Sequence, residues 1–428
     1  MKLKNSTLNH SFIYISGSLV QALAPFLLIP ILTRNTTQET FGLLMLMIAF
    51  ATVLSFIFSL GVPAILTRDL IYEKSEKDLN ILIANRFQTL LFWISFFLIT
   101  IGYVFLRDTF IQYWLYIFSI SLSLSLIQIR LSVLRAQSKS LRFALLAILS
   151  TGFPLLVVST LAITDYQNVF FAFTLAILFV ALTVQLRFIF SFPKYSNYLS
   201  IFKLISVGYP MIFHSVSISL FQYGDKLSGY LGLGADIVSQ IVIMSIFMTA
   251  PMLLLSTINN AWLPAVLEHF YKSQKDGFTF SNKVALKLNW LITLISLGIM
   301  FASNLLVQAF TPITYDRQAI TNSILIGIIA SPLYILYLQN THLITINKEF
   351  KKLATITPVA AAVQFIFTFG LVGEIGLLAP ALGFIFALLI QVILTSFATR
   401  KISQLNKFPI YSTIFLALCS YFLLRIIG

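Results

Sequence analysis

The sequence is dominated by uninterrupted apolar runs of about 20 residues, the length of α-helix that crosses the hydrocarbon core of a bilayer. We place thirteen such runs at residues 10–33, 42–66, 87–106, 112–134, 143–163, 169–190, 204–224, 237–258, 284–306, 319–340, 353–373, 377–398 and 410–427. A transmembrane β-barrel is excluded, because its strands alternate apolar and polar residues over about 10 positions. The sequence therefore predicts an all-α polytopic membrane protein with 12–13 transmembrane helices.

The basic residues predict the orientation of these helices. Of the 28 Lys and Arg residues, 23 fall at loops on the side of the N-terminus. The opposite side has five, namely Arg34, Arg107, Lys226, Arg317 and Arg425. Because basic loops stay on the cytoplasmic side, we expect a cytoplasmic N-terminus. The net charge of +14 is then a topological signal and an attraction to anionic lipid, which excludes a nucleic-acid partner.

Two similar stretches suggest that the chain contains two copies of one unit. Residues 63–78 and 264–276 each run from Pro-Ala through an apolar helix end into charged residues that end in Lys-Asp. The linker at 191–203 follows the sixth apolar run and is the best boundary between halves. We predict parallel six-helix bundles at 1–200 and 201–428, related by a pseudo-two-fold axis along the membrane normal.

The remaining segments fit this plan with one exception. The longest loops are predicted at 67–86 and 259–283, both cytoplasmic, and each contains part of one repeated stretch. The last run, 410–427, is an additional span outside the six-plus-six arrangement. Pro25 and Pro30 lie inside the first run and no small-residue cleavage site follows it, which favours a retained helix over a signal peptide.

The composition gives little support to catalysis. Hydrophobic residues make up 58% and charged residues 10%, against about 25% charged in soluble domains. No histidine pair has a metal-binding spacing, no glycine-rich phosphate loop is present, and Cys419 is the single cysteine. We predict that the protein is not an enzyme and has no cofactor or metal, and the coupling ion, either H⁺ or Na⁺, is left open.

Polar residues inside the apolar runs are the candidates for function, because such groups are costly in hydrocarbon and face a cavity or a partner. The seventh run has the most, including Tyr209, His214, Ser217 and Gln222. Pro210 predicts a kink there. His214 is either a packing residue that bonds Ser217 or a neighbouring helix, or a cavity group that contacts substrate or takes a proton.

The first run carries a polar stripe at helical spacing that includes Tyr14, Ser18 and Gln21. This stripe either joins helices or lines a cavity. The first and seventh runs occupy equivalent positions in the two halves, and both contain proline. That correspondence favours a cavity.

Five charged residues lie at helix ends. Arg130 and Arg187 lie just inside the cytoplasmic ends of the fourth and sixth runs, where they either extend to the headgroups or bind an anionic headgroup or pyrophosphate. Arg34 closes the first run on the outer side as an interfacial anchor or a substrate contact. Asp225 and Lys226 are predicted to neutralise charge at the end of the seventh run.

Several scattered stretches resemble one family of membrane proteins. They are Pro25, Pro30, Arg34 and Phe41-Gly42; Gly61-Val62-Pro63; Arg135 to Lys139; Gly208-Tyr209-Pro210, Asp225-Lys226, Gly232 and Gly234; Ala261 to Pro264; and Thr311-Pro312 with Tyr315. Together they resemble the Wzx-type polysaccharide-unit flippases of the multidrug/oligosaccharidyl-lipid/polysaccharide exporter superfamily. Ala261 to Pro264 corresponds to the Trp-x-Pro turn of that family. The loop after Gly376 departs from the family pattern.

The resemblance implies a flippase of a bacterial cytoplasmic membrane that carries a polyprenyl-pyrophosphate-linked oligosaccharide to the outer leaflet by alternating access, for O-antigen or capsule synthesis. Its partners would be this lipid-linked glycan, the bilayer and other polysaccharide-assembly membrane proteins. The alternatives are an ion-coupled drug exporter of the same superfamily and a membrane polysaccharide polymerase. The exporter should carry a protonatable acid deep in a helix; the sequence has none, and only His214 could substitute for it. The polymerase should have a long outer loop, which the sequence lacks.

Overall fold

The fold was analysed in a computed structural model, which describes residues 17, 20, 24, 26–63, 77–105, 109–137, 139–161, 166–186, 195–347, 349–400, 405 and 408–427. Within these residues the secondary structure is helical and contains no strand. The prediction of an all-α membrane protein is confirmed.

The described ranges include fourteen α-helices and one 3₁₀ turn with defined bounds. The helices are α1 (Phe26–Asn35), α2 (Gln38–Phe58), α3 (Lys77–Phe105), α4 (Thr109–Ala136), α5 (Ser140–Thr160), α6 (Tyr166–Gln185), α7 (Tyr195–Leu233), α8 (Ala235–Lys272), α9 (Gln274–Phe310), α10 (Arg317–Gly327), α11 (Leu333–Ile346), α12 (Phe350–Ile375), α13 (Leu378–Thr399) and α14 (Phe408–Ile427). The 3₁₀ turn Ile328–Ala330 separates α10 from α11, where Pro332 lacks the N–H that a continuous helix would use.

Most of the predicted spans are confirmed as apolar helices. Ten helices in the described ranges are long and apolar enough to cross a membrane, and they include the additional last span, at Phe408–Ile426. The tenth predicted span corresponds to α10, the 3₁₀ turn and α11 together, Arg317–Ile346. The third and seventh spans fall within α3 and α7. The described end of the first span is the short helix α1.

The chain divides into two compact units. One consists of Met1–Thr40 and Leu44–Ser219, and the other of Phe41–Leu43 and Leu220–Gly428. The division falls inside α7. The predicted halves, their boundary at residues 200 and 201, and their pseudo-two-fold relation stay predictions.

In the first unit, α4 packs against α3, α5 and α6. Its core with α3 is apolar and includes Phe87, Ile129 and Val133, each at most 1% exposed. The buried face of α4 is rich in serine, and Ser119 and Ser123 each donate to a carbonyl one turn earlier. Small side chains whose hydroxyls are satisfied within the helix let neighbouring backbones approach closely in a membrane.

In the second unit, α12 pairs with α13, α8 pairs with α9, and α11 packs against α13 and α8. The last helix, α14, lies on α9, α10 and α11. Its buried Leu416 packs with Met300, Leu325 and Ile328. This packing makes the additional span an integral part of the second unit.

The predicted cytoplasmic loop 259–283 is wrong, because these residues are helical except for Ser273. Helices α8 and α9 have 38 and 37 residues, or about 55 Å each at 1.5 Å per residue, far more than the roughly 30 Å of hydrocarbon. They form a hairpin whose tip extends past the bilayer. Ser273 caps α9 by accepting from the backbone N–H of Asp276 at 3.1 Å.

Other predicted loop boundaries also change. Residues 77–86 of the predicted loop 67–86 begin α3, and residues 195–203 of the predicted linker begin α7. Residues 64–76 and 191–194 lie outside the described residues. The expected Trp-x-Pro turn at Ala261 to Pro264 is instead continuous helix within α8. The second repeated stretch therefore does not end in a loop.

We expect the replacement of Gly327 by Ala to destabilise the second unit. An added Cβ would overlap Met248 Sδ and lie 2.6 Å from Met248 Cγ, and overpacking of this kind costs about 1–3 kcal/mol. Gly298→Ala is the matched control, since no described atom lies within 4 Å of the point that its Cβ would occupy. Thermal unfolding of the purified variants would measure both, and equal melting temperatures would contradict the prediction.

Candidate functional site

A buried ion pair lies in the outer part of α7, as judged from the predicted orientation. Asp225 and Lys226 have side chains that are 3% and 6% exposed. They lie inside the helix, which continues to Leu233. The expectation that they neutralise local charge agrees with this ion pair, but the expected position at a helix end is wrong.

The carboxylate of Asp225 accepts hydrogen bonds from three groups. The backbone N–H of Lys226 donates to Oδ1 at 2.8 Å, and Lys226 Nζ donates to Oδ1 and Oδ2 at 3.0 and 3.3 Å. Ser245 Oγ donates to Oδ2 at 2.8 Å across the turn from α8. The ammonium also donates to the Gln222 carbonyl at 3.2 Å and lies 5.5 Å from the centre of the Tyr223 ring.

This arrangement explains how two charges are tolerated in an apolar region. Burial removes both ions from water, and their attraction offsets that cost only when the remaining hydrogen-bonding positions are filled. The oxygens of Asp225 accept hydrogen bonds from Lys226 and Ser245, and the bond from Ser245 connects α7 to α8. On the same stretch of α7, Phe221 contacts Phe384 of α13, and Gly224 lies near Phe365 of α12.

In the first unit, a polar contact joins α3 and α4 near the ends that are cytoplasmic in the predicted orientation. Arg130 Nη1 donates to Asn85 Oδ1 at 3.3 Å. One turn away, Gln88 Nε2 donates to the Leu126 carbonyl at 2.9 Å, and Gln128 Nε2 donates to Ser55 Oγ of α2 at 3.1 Å. These hydrogen bonds connect α2, α3 and α4. The acceptor for Arg130 in this group is the uncharged amide oxygen of Asn85.

The structure describes the side chains of some of the other predicted site residues but not of all. Arg34 is exposed near the end of α1, and His214 is half-buried in α7. Ser217 is buried and donates to the Phe213 carbonyl at 2.6 Å, while the side chain of Gln222 is exposed. The side chain of Tyr209, together with Tyr14, Ser18, Gln21 and Arg187, lies outside the described residues.

Of the predicted set, the structure brings Asp225 and Lys226 into contact, with the backbone carbonyl of Gln222 beside them. Arg130 belongs to the first unit and the pair to the second. The sequence analysis missed Asn85, which it assigned to a loop. It also missed Ser245, since nothing in the sequence distinguishes this serine from its neighbours.

A third polar group, in α11, was also missed. Gln339, Asn340 and His342 are each 1% exposed. Gln339 Nε2 donates to Ser281 Oγ of α9 at 3.2 Å, and Asn340 Nδ2 donates to Ser396 Oγ of α13 at 2.9 Å. A signal was present, because the tenth apolar run ends in Gln339 and Asn340 and is followed directly by Thr341 and His342.

The turn between α9 and α10, which is on the outer side in the predicted orientation, contains the predicted landmark Tyr315, which is 4% exposed. Burial raises the pKa of the Tyr315 phenol to about 12. The hydroxyl therefore stays neutral at physiological pH. Arg317 Nη2 closes this turn by donating to the Thr311 carbonyl at 2.7 Å.

The described residues contain no group of three or more His, Cys, Asp or Glu side chains that could hold a metal ion. The polar groups found above instead consist of paired charges, amides and hydroxyls. Such groups can bind an anion or hydroxyls by hydrogen bonds, and an arginine adds a bidentate donor for a phosphate.

Solved structures of transporters are similar to this chain. Lipid II flippase MurJ, in an inward closed conformation, has 13% identity and a TM-score of 0.64, with 99% of this chain and 91% of that chain covered. A mutant of the Vibrio cholerae MATE transporter VcmN has 13% identity and a TM-score of 0.59, with 94% and 98% covered. A MOP-superfamily transporter from Pyrococcus furiosus has 14% identity and a TM-score of 0.58, with 93% and 96% covered. At these identities the likeness shows a shared fold.

Sequence comparison gives the family. No curated protein matches the chain. The family model described as polysaccharide biosynthesis protein matches residues 7–270, more than half of the chain. The predicted resemblance to Wzx-type proteins is thereby confirmed, and the chain belongs to the polysaccharide biosynthesis protein family.

Proposed function

We propose that this protein is a flippase that moves a polyprenyl-pyrophosphate-linked oligosaccharide from the inner to the outer leaflet of a bacterial cytoplasmic membrane. The observation that carries the proposal is the family match over residues 7–270. The ten apolar spans in the described residues indicate that its step in polysaccharide synthesis takes place within the bilayer. The glycan would serve O-antigen or capsule assembly, with other membrane proteins of that process as partners.

The polar side chains inside the helices support this proposal. A glycan cannot enter hydrocarbon, because each buried hydroxyl without a hydrogen bond costs several kcal/mol. A flippase must offer the glycan polar partners while the polyprenyl chain stays in lipid. Arg130 supplies donors for a pyrophosphate, and the buried amides and serines of α3, α4 and α11 show that these helices accommodate polar groups.

Alternating access is the mechanism we propose, with the ion-binding step still open between H⁺ and Na⁺. Arg34, Arg187, His214 and Lys226 remain proposed substrate contacts beside Arg130. Asp225 is better described as the residue that fixes Lys226, because its oxygens already accept four hydrogen bonds.

Depletion of the protein tests the function directly. We expect single, complete lipid-linked repeat units to accumulate on the cytoplasmic side while surface polysaccharide falls. Extraction of lipids, with enzymatic labelling of outward-facing glycans, would measure both. Units that still reach the outer leaflet in cells that become drug-sensitive would favour the exporter. Single units that reach the outer leaflet without being joined would favour the polymerase.

A further inference from the structure

The contact between α11 and α8 contains a buried histidine that the sequence analysis did not consider. His342 is 1% exposed, and its Nε2 lies 2.7 Å from Asn259 Oδ1. The indole of Trp262, also in α8 and 4% exposed, meets the imidazole edge to face with ring centres 4.7 Å apart. His342 lies four residues before the end of α11 at Ile346, which is a cytoplasmic end in the predicted orientation.

The hydrogen bond assigns the protonation state of the imidazole in this packing. An amide oxygen only accepts, so His342 Nε2 carries the proton that it donates to Asn259. In the neutral ring, Nδ1 then carries a lone pair, and this buried atom has no hydrogen-bond partner among the described residues. The indole N–H of Trp262 is likewise buried without a partner in that part of the chain. Buried polar atoms of this kind are uncommon and call for an explanation.

The ionisable groups on the helices around α11 do not compensate a charge on His342. They include Glu268 and His269 on α8, Lys283 and Lys287 on α9, Lys351 and Lys352 on α12, Arg400 after α13, Tyr411 on α14, and Tyr334 and Tyr337 on α11 itself. Within the described residues none of them forms an ion pair with His342. Glu268 is paired with Lys272, and Glu349 with Lys352.

Protonation of Nδ1 would therefore be incompatible with this packing. The imidazolium has two donors, and the second would point into a buried region without an acceptor in the described ranges, which is costly inside a membrane protein. A rearrangement of α8 against α11 that admits water or turns a carbonyl toward Nδ1 would remove that cost. The neutral and protonated forms thus favour different packings of these two helices, which is the requirement for a proton-driven switch.

We propose that His342 is a proton-binding site whose occupancy changes the packing of α8 against α11 during transport. The proposal rests on the proposed flippase function and adds a coupling step to it. Asn259 fixes the neutral tautomer, and Trp262 covers the ring. His342 thereby takes the role for which the sequence analysis had considered His214.

The first experiment measures the packing change without any substrate. Trp93, Trp114 and Trp290 are replaced by Phe and the other three histidines by Gln, so that Trp262 and His342 are the only residues of their kinds. A protonated imidazole quenches a neighbouring indole, so we expect a single step in Trp262 fluorescence between about pH 5 and 8. The same protein with His342→Gln should show no step. A flat titration in the protein that retains His342 would overturn the proposal, as would a step that survives His342→Gln.

The second experiment measures transport in proteoliposomes with a polyprenyl-pyrophosphate-linked oligosaccharide at equal pH on both sides. Gln and Asn keep an amide N–H for Asn259 but cannot take a proton. We expect the parent rate to change about five-fold or more between pH 6 and 8, in the range typical of coupled sites, and the His342→Gln or His342→Asn rate to change less than about two-fold. His269→Gln is the control, because His269 is a partly exposed histidine outside the proposed substrate path, and it should keep the parent profile.

The outcomes separate this proposal from the function on which it rests. Loss of transport at every pH in the parent protein would reject the flippase, whereas the fluorescence step would still report the proton site. A parent profile that His342→Gln leaves unchanged would reject the proton site and leave the flippase intact.

Discussion

Replacement of Lys226 by Met is expected to lower the free energy of unfolding by about 3–5 kcal/mol, because it leaves the buried carboxylate of Asp225 without its counter-ion. Lys226 supplies two of the four hydrogen bonds to that carboxylate from its side chain. Ser245 alone cannot replace this charge. Denaturant unfolding of the purified protein in detergent measures the change, and a loss below about 1 kcal/mol would contradict a buried ion pair.

Two control variants test whether the loss of stability comes from leaving a buried charge unpaired. Lys272→Gln removes another Lys–carboxylate contact of the second unit, one at an exposed position, where the Lys272 and Glu268 side chains are 58% and 73% exposed. We expect it to change stability by less than about 0.5 kcal/mol. The double replacement Asp225→Leu with Lys226→Met removes both charges, and it should recover most of the stability that Lys226→Met alone loses.

The sequence predicted the helical spans well because hydrocarbon thickness sets their length independently of tertiary structure. It failed where that constraint ends. Beyond the bilayer, the polar residues of 259–283 are compatible with either loop or helix, so the extension of α8 and α9 could not be deduced from hydropathy. A local signal was available, since Ser273 followed three residues later by Asp276 is typical of a helix N-terminus.

The sequence identified individual residues of the candidate site but not the contacts between them. Asp225 and Lys226 were identifiable as neutralising charges beside an apolar run, but their burial inside the helix could not be deduced from their position in the sequence. The contact with Ser245 depends on the fold of α7 back along α8. His342 and Asn259 are 83 positions apart, and no spacing rule connects residues at that distance. The Asp225–Ser245 and His342–Asn259 contacts form only through tertiary packing.

The largest effect on transport is expected at Arg130. A charge-assisted hydrogen bond to a phosphate contributes about 1.5–3 kcal/mol, so Arg130→Ala should lower the rate of glycolipid translocation about 10- to 100-fold in proteoliposomes. Arg135→Ala is the control on the same helix, since Arg135 is exposed and lies 5.1 Å from the centre of the Phe143 ring. Its rate should stay within about two-fold of the parent.

Asn85→Asp separates substrate binding from helix packing at the same position. Asn85 Oδ1 accepts from Arg130 at 3.3 Å, and a carboxylate would accept more strongly. If Arg130 serves only to join α3 to α4, Asn85→Asp should keep or raise stability and leave transport unchanged. If Arg130 binds the pyrophosphate, the new carboxylate would partly cancel its charge and repel the substrate. We therefore expect normal stability with about 10-fold slower transport, and unchanged transport would remove Arg130 from the substrate path.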